Sequence, residues 1–176
     1  MRVLDLGCGF SDVAAEAFKG AEVVRVDLNP EAEPDVVADA RALPESLGKF
    51  DHILASHLLE HLGRVEIIPA LEHWGTFLVP GGSLHVIVPD LEFAAEELTR
   101  GKPTPAIAIM MHLYGAQSSE WDFHRWGFTA LLLRSALTQA GYIVTELRSN
   151  NYTIRFDDKN EARARQLYAR AVRKEH

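Results

Sequence analysis

Residues 1–12 read Met1-Arg2-Val3-Leu4-Asp5-Leu6-Gly7-Cys8-Gly9-Phe10-Ser11-Asp12, and the rest of the chain is ordered around them. Arg2 to Leu6 is short, largely apolar and closed by a glycine, which predicts a buried parallel strand. Gly7 and Gly9 punctuate it before a helical stretch over about 11–19. Glycines at a strand-to-helix turn let the backbone come close to a ligand, because no Cβ stands in the way. Asp5 sits at the strand end beside that cradle. A dinucleotide loop has the form G-x-G-x-x-G, with a pyrophosphate on the helix N-terminus. Counted from Gly7, its last glycine falls on Asp12, and an acid there repels a diphosphate.

The remaining strands follow in alternation with helices. Ala21 to Val26 reads as the second strand and closes on Asp27, about 20 residues past the glycines, where an acid accepts from both ribose hydroxyls of a nucleoside. Asp35 to Ala38 is a short third strand, and Asp39 after it suits either a turn cap or a ligand contact. Phe50 to Ala55 is the fourth, followed by Ser56-His57-Leu58-Leu59-Glu60-His61 at the end where α/β sheets bind ligands. A helix over 65–78 carries Ile67, Ile68, Leu71, Trp74 and Leu78 on one side, so Trp74 is expected in the core. Val79-Pro80-Gly81-Gly82 has the Pro and Gly placement of a type II turn. The fifth strand, Ser83 to Val88, then leads to Asp90 and a helix over 91–98. Residues 101–128 break the alternation. A helical Ala106 to Leu113 precedes Tyr114 to Phe128, an unperiodic stretch dense in aromatic, acidic and basic side chains. Loops with that content carry function more often than packing. A helix over 129–140 and a sixth strand, Tyr142 to Leu147, follow.

With 176 residues, 47% of them hydrophobic, a single domain over 1–176 is expected. The net charge of −7 argues against nonspecific nucleic-acid or anionic-membrane partners. One cysteine, Cys8, rules out an internal disulfide and fits a reducing, cytoplasmic setting. Between two glycines it reads as a small residue in a tight turn. No apolar run is long enough for a membrane span.

The motifs together resemble those of class I S-adenosylmethionine (SAM) methyltransferases. Asp5-x-Gly7-x-Gly9 resembles their Asp-x-Gly-x-Gly-x-Gly loop, with Ser11 at the last glycine. Phe50 to His61 resembles their F-D-x-I-x-x-x-x-x-L-E-H motif, and Leu71 to Asp90 and Phe123-His124-x-x-Gly127-Phe128 match the compact small-molecule members. SAM carries an ammonium and a sulfonium but no phosphate, so acids around the glycine turn are compatible with it. The resemblance implies a Rossmann-like α/β fold: a seven-stranded, mostly parallel sheet with an antiparallel last strand and helices on both faces. It places the last strand at 166–173, with a short helix at 159–165. It implies SAM as cofactor, held by Asp5, Gly7, Gly9, Phe10, Asp27, Leu28, Asp39, Ala40, Ser56 and His57, with Asp39 near the adenine amino group. The implied reaction is methyl transfer to a small polar acceptor, sugar-containing ones included, at oxygen. The alternative is a SAM-binding module without catalysis that works through a partner protein.

Catalytic candidates are His124, whose loop has no helical stripe to explain it as core, with His61 and Tyr114. His57-x-x-Glu60-His61 also spells H-x-x-E-H, which on a helix would bring two imidazoles and a carboxylate together. As a metalloprotease signature it needs a third protein ligand from another segment and leaves the glycines unexplained. The stretch also resembles the helix in which ubiquinone-pathway and small-RNA methyltransferases hold a divalent cation, with His57, Glu60 and His61 at the matching positions. The alternative is that Glu60 and His61 hydrogen-bond neighbouring loops, and no metal is expected. The first strand begins at Met1, so cover for SAM is expected from the 101–128 insertion or from a second subunit in a homodimer.

Overall fold

β1 (Arg2–Leu6) is nearly inaccessible along its length and pairs in parallel with β2 (Glu22–Asp27) on one side and β4 (Phe50–Ser56) on the other. β3 (Val36–Val37) extends the sheet beyond β2, and β5 (Leu78–Pro89) extends it beyond β4, all parallel. β6 (Tyr142–Arg155) and β7 (Glu161–Arg173) form a long hairpin, and β7 inserts antiparallel between β5 and β6. The order is β3-β2-β1-β4-β5-β7-β6. In this computed structural model residues 1–100, 104–156 and 159–174 are described, and the side chain of Arg100 is not. The first three residues of the stretch 101–128, where the alternation breaks, lie outside them.

The expected seven-stranded sheet with one antiparallel strand is the observed one. Two details differ. Residues 161–165 continue β7 instead of forming a helix, and β6 runs on to Arg155. Ala and Arg are good helix formers, but propensity is a weak prior, and pairing of 161–165 with residues 151–155 of β6 overrides it. The deciding signal is Glu161-Ala162-Arg163-Ala164, whose exposed and buried residues alternate with period two.

α2 (Ile67–Gly75) and α5 (Ala130–Gln139) pack together on one face, where Leu71, Trp74, Leu133 and Leu137 meet the inward residues of β1, β4, β5 and β7. Trp74 donates its indole N–H to Ala40 O at 2.8 Å, and Tyr142 donates to Leu71 O at 2.7 Å, so both large rings are buried without orphaned polar atoms. The opposite face is met by the end of α1 (Val13–Ala17), and α3 (Leu91–Arg100) follows β5 and packs on the helix over 106–114. Phe18, just after α1, stacks on His52 with ring centroids 5.1 Å apart and meets His85 edge-on. Alternation along β4 and β5 puts those histidines opposite the core residues Ile53 and Leu84. His85 is satisfied, with Nε2 2.9 Å from Ser83 Oγ and Nδ1 2.8 Å from Tyr168 OH.

The chain winds outward through β2 and β3, then returns to start β4 on the other side of β1. That reversal opens a crevice beyond the carboxyl ends of β1 and β4, where ligands of such sheets bind.

Candidate active site

The crevice has a volume near 540 Å³, within the range of small-molecule sites. Its floor comes from four strand ends: Gly7 and Gly9 after β1, Asp27, Leu28 and Asn29 around the end of β2, Ala38 to Arg41 after β3, and His57, Leu58, His61 and Leu62 after β4. Gly7 sits at φ 65° against Leu58, and a Cβ there would lie 2.8 Å from Leu58 Cδ1. Gly9, at φ 49°, has open space where its Cβ would be. Only glycine occupies both positions without strain or steric conflict.

Asp27 holds this turn. Its Oδ2 accepts from Gly9 N–H and its Oδ1 from Asn29 N–H, each at 2.8 Å. Each oxygen keeps further acceptor capacity, and Asp27 lines the crevice. Arg25, unremarked in sequence, braces the same loop by donating from Nη2 to Gly9 O at 2.9 Å. Asp39 caps its turn, accepting Arg41 N–H at 2.8 Å, and pairs with the Arg41 guanidinium at 2.6 Å. That guanidinium, which also contacts Glu66, holds the Asp39 carboxyl below the usual carboxylate range.

Not every expected residue reaches the crevice. Gly7, Gly9, Phe10, Asp27, Leu28, Asp39, Ala40 and His57 line it, whereas Asp5 and Ser56 do not. Asp5 is buried beneath the loop, and burial pushes its carboxyl up to about 6, against the pull of Arg25 and with the push of Asp27. Cys8 is also buried, its thiol pushed up to about 11 by burial, and behaves as a packing residue.

The outer wall is the stretch 118–125, with Trp121, Asp122, Phe123 and Arg125 lining the crevice. Its backbone is pinned where Glu60 O accepts from both Arg125 N–H (2.8 Å) and Trp126 N–H (3.1 Å). Its base is α4 (Ala106–Tyr114), closed by Gly115 at φ 78°. His112 is buried and donates to Asp90 O at 2.9 Å, so it packs. Tyr114 is exposed on α4, outside the crevice lining.

The H-x-x-E-H stretch is not the helix that its spacing would need. His57 turns at φ 52° and only Leu59–His61 forms a 3₁₀ turn. His57 Nε2 faces Gln166 Oε1 at 3.0 Å, and its Nδ1 lies 3.2 Å from Glu60 Oε1. Burial works against the imidazolium, but the Glu60 carboxylate outweighs it and raises the His57 pKa above its ordinary value. Burial likewise works against the Glu60 carboxylate, and His57, His61 and His124 together hold its pKa low. His61 turns the other way and meets His124 edge-on, ring centroids 4.9 Å apart. His61 lines the crevice and His124 stands behind it. Burial lowers the His124 pKa despite Glu60. The juxtaposition joins a strand-end turn to the far end of an insertion, and nothing in linear spacing marks it.

A methyltransferase domain model matches residues 1–133. The chain belongs to that methyltransferase domain family. Its fold recurs in a SAM-dependent methyltransferase from Methanosarcina mazei, which is 19% identical with a TM-score of 0.73, covering 98% of this chain and 92% of that one. It recurs too in the N-methyltransferase NodS from Bradyrhizobium japonicum bound to S-adenosylhomocysteine, at 15% identity and TM-score 0.63, over 99% and 78% of the two chains. A third is the 1,6-didemethyltoxoflavin N1-methyltransferase of Burkholderia thailandensis with its substrate and S-adenosylhomocysteine bound, at 19% and 0.63, over 99% and 71%. No curated protein matches the sequence. The protein is a methyltransferase, and it shares the fold of these SAM-dependent enzymes. Among its described residues no helix is long and apolar enough to cross a membrane.

Proposed function

We propose that this methyltransferase transfers the methyl group of SAM to an oxygen of a small polar acceptor, with SAM lying across the glycine turn and the acceptor beneath residues 118–125. The observation that carries the reading is the Asp27 carboxylate at the crevice, which takes up Gly9 N–H, a backbone donor of the turn that a diphosphate would otherwise use. Asp27 accepts the ribose hydroxyls, Gly7 and Gly9 let the backbone approach the methionine part, and Phe10, Leu28 and Ala40 flank the adenine. Asp39 takes the adenine amino group, though its Oδ1 also caps the Arg41 turn.

SAM supplies an already activated methyl, so the protein's part is alignment, which can account for about 7–11 kcal/mol of barrier lowering. His61, at the crevice and backed by His124, is where the acceptor hydroxyl is activated. Trp121 and Phe123 cover the reacting atoms from water. A small-molecule acceptor is supported by the size of the crevice and by the Burkholderia neighbour's own substrate.

The test is titration calorimetry with SAM, S-adenosylhomocysteine and NAD, followed by methyl transfer to a panel of hydroxylated small molecules. Micromolar or tighter binding of both adenosyl ligands, with none of NAD, is expected. Binding of NAD in their place overturns the reading.

A further inference from the structure

The behaviour of Glu60 has no explanation in a crevice that binds only organic ligands. Its side chain is 1% exposed, yet neither carboxylate oxygen makes a hydrogen bond. Oε1 has His57 Nδ1 at 3.2 Å, an ion-pair distance without hydrogen-bond geometry, and Oε2 has no hydrogen-bond partner among the described residues. A buried carboxylate is costly unless it is paired and hydrogen-bonded, so Glu60 calls for a cationic partner. A small cavity of about 20 Å³ lies against Glu60 and His124, room for a single water or ion.

The two neighbouring imidazoles are set in one tautomer. His61 Nδ1 lies 3.1 Å from Phe123 O, and His124 Nδ1 lies 3.2 Å from His112 O. Carbonyls only accept, so each Nδ1 carries the proton and each Nε2 presents a free lone pair. Backbone carbonyls orient metal-bound histidines in this way and raise their basicity. One ligand atom from each of Glu60, His61 and His124 lies within 4.8 Å of the other two. Bonds near 2.1 Å in a tetrahedron need ligand atoms about 3.4 Å apart, so the side chains would close by up to about 1.4 Å.

We infer that Glu60, His61 and His124 bind one divalent transition-metal ion. Two imidazoles and one carboxylate favour Zn²⁺ or its first-row neighbours over Mg²⁺ and Ca²⁺, which take oxygen ligands. The ion supplies the missing partner of Glu60 and ties the 115–128 stretch to the turn after β4. Three protein ligands leave a coordination position open, as in catalytic rather than structural sites. Because His61 also lines the crevice, an acceptor hydroxyl is the group to fill that position, and its bound form loses its proton more readily. The O–CH₃ bond then forms as the sulfonium C–S bond breaks, its electron pair staying on sulfur, and the hydroxyl proton passes to solvent. Only this last role rests on the proposed methyl transfer; occupancy does not.

The experiment uses the full chain stripped by a chelator. Zn²⁺ is titrated against a competing chelator, Co²⁺ is followed by its visible absorption, and S-adenosylhomocysteine binding is measured separately. One equivalent of Zn²⁺ is expected, with Mg²⁺ and Ca²⁺ at least about a hundredfold weaker. His61→Ala, His124→Ala and the isosteric Glu60→Gln should each weaken Zn²⁺ by tenfold or more and alter the Co²⁺ spectrum, with circular dichroism confirming that each variant folds. His73→Ala, away from the cluster, should change neither. Absence of stoichiometric binding in the parent chain, or binding that survives loss of both imidazoles, overturns the inference. Failure of S-adenosylhomocysteine to bind would count against the cofactor reading alone.

Discussion

Asp27 is the side chain on which the cofactor turn depends. It accepts two backbone N–H groups, one from Gly9 and one from Asn29, and so fixes the loop before any ligand arrives. Charge-assisted hydrogen bonds of this kind are worth about 1.5–3 kcal/mol each. Asp27→Ala should therefore weaken S-adenosylhomocysteine by roughly 10–100-fold in calorimetry, with the fold retained by circular dichroism. Unchanged affinity would remove Asp27 from the site. Its place at the crevice was legible in sequence because strand end, glycine spacing and acid lie in one reading frame. Asp5 was legible as a strand-end acid but not as a buried one, since burial there depends on how the loop folds over it. The pairing of His61 with His124 was illegible, because no periodicity links a turn after β4 to a distant loop.

The segment between α3 and α5 shows how far element-level reading reaches. Its breakdown of periodicity announced a wall for the crevice, and 118–125 do line it. Its closure depends on one glycine: a Cβ at Gly115 would lie 2.1 Å from Asp122 O, at a φ that side chains rarely adopt. Gly115→Ala should therefore displace 116–125, raising the rate of limited proteolysis there several-fold while leaving the sheet's amide protection intact. Equal proteolysis of the two proteins would show that the wall does not depend on that closure. At the far end, the Thr129 side chain accepts Leu132 N–H at 3.2 Å and starts α5, which packs on β6. Thr129→Ala should cost about 0.5–2 kcal/mol, read as a lower urea midpoint with unchanged slope. The sheet order follows from alternation and the switch point, whereas the helix expected at 159–165 failed because Ala and Arg alternate there for a hairpin.

Taken together, the buried ionisable groups give the protein opposed responses to acid. Burial holds His85 down to about 4, and lowers His52 and His112 as well. Between about pH 4 and 6.5 the unfolded chain protonates that imidazole and the folded chain does not. The unfolded state then binds more protons, so this contribution rises with pH and is lost as pH falls. Asp5 runs the other way. Its carboxyl, near 6 when folded, keeps a proton between about pH 4 and 6 that the unfolded chain has released, so its contribution falls as pH rises. Each effect is on the order of 2–3 kcal/mol at its limit, and in the parent protein they partly cancel. Single variants separate them. The melting-temperature difference between His85→Gln and the parent should grow in the variant's favour as pH drops from 7 to 4.5. The difference for Asp5→Asn should grow in the variant's favour as pH rises over the same range. A pH-independent difference for either variant would mean that its group titrates alike in the folded and unfolded chains. The sheet would then bury that side chain less completely than its position between β1, β4 and β5 requires.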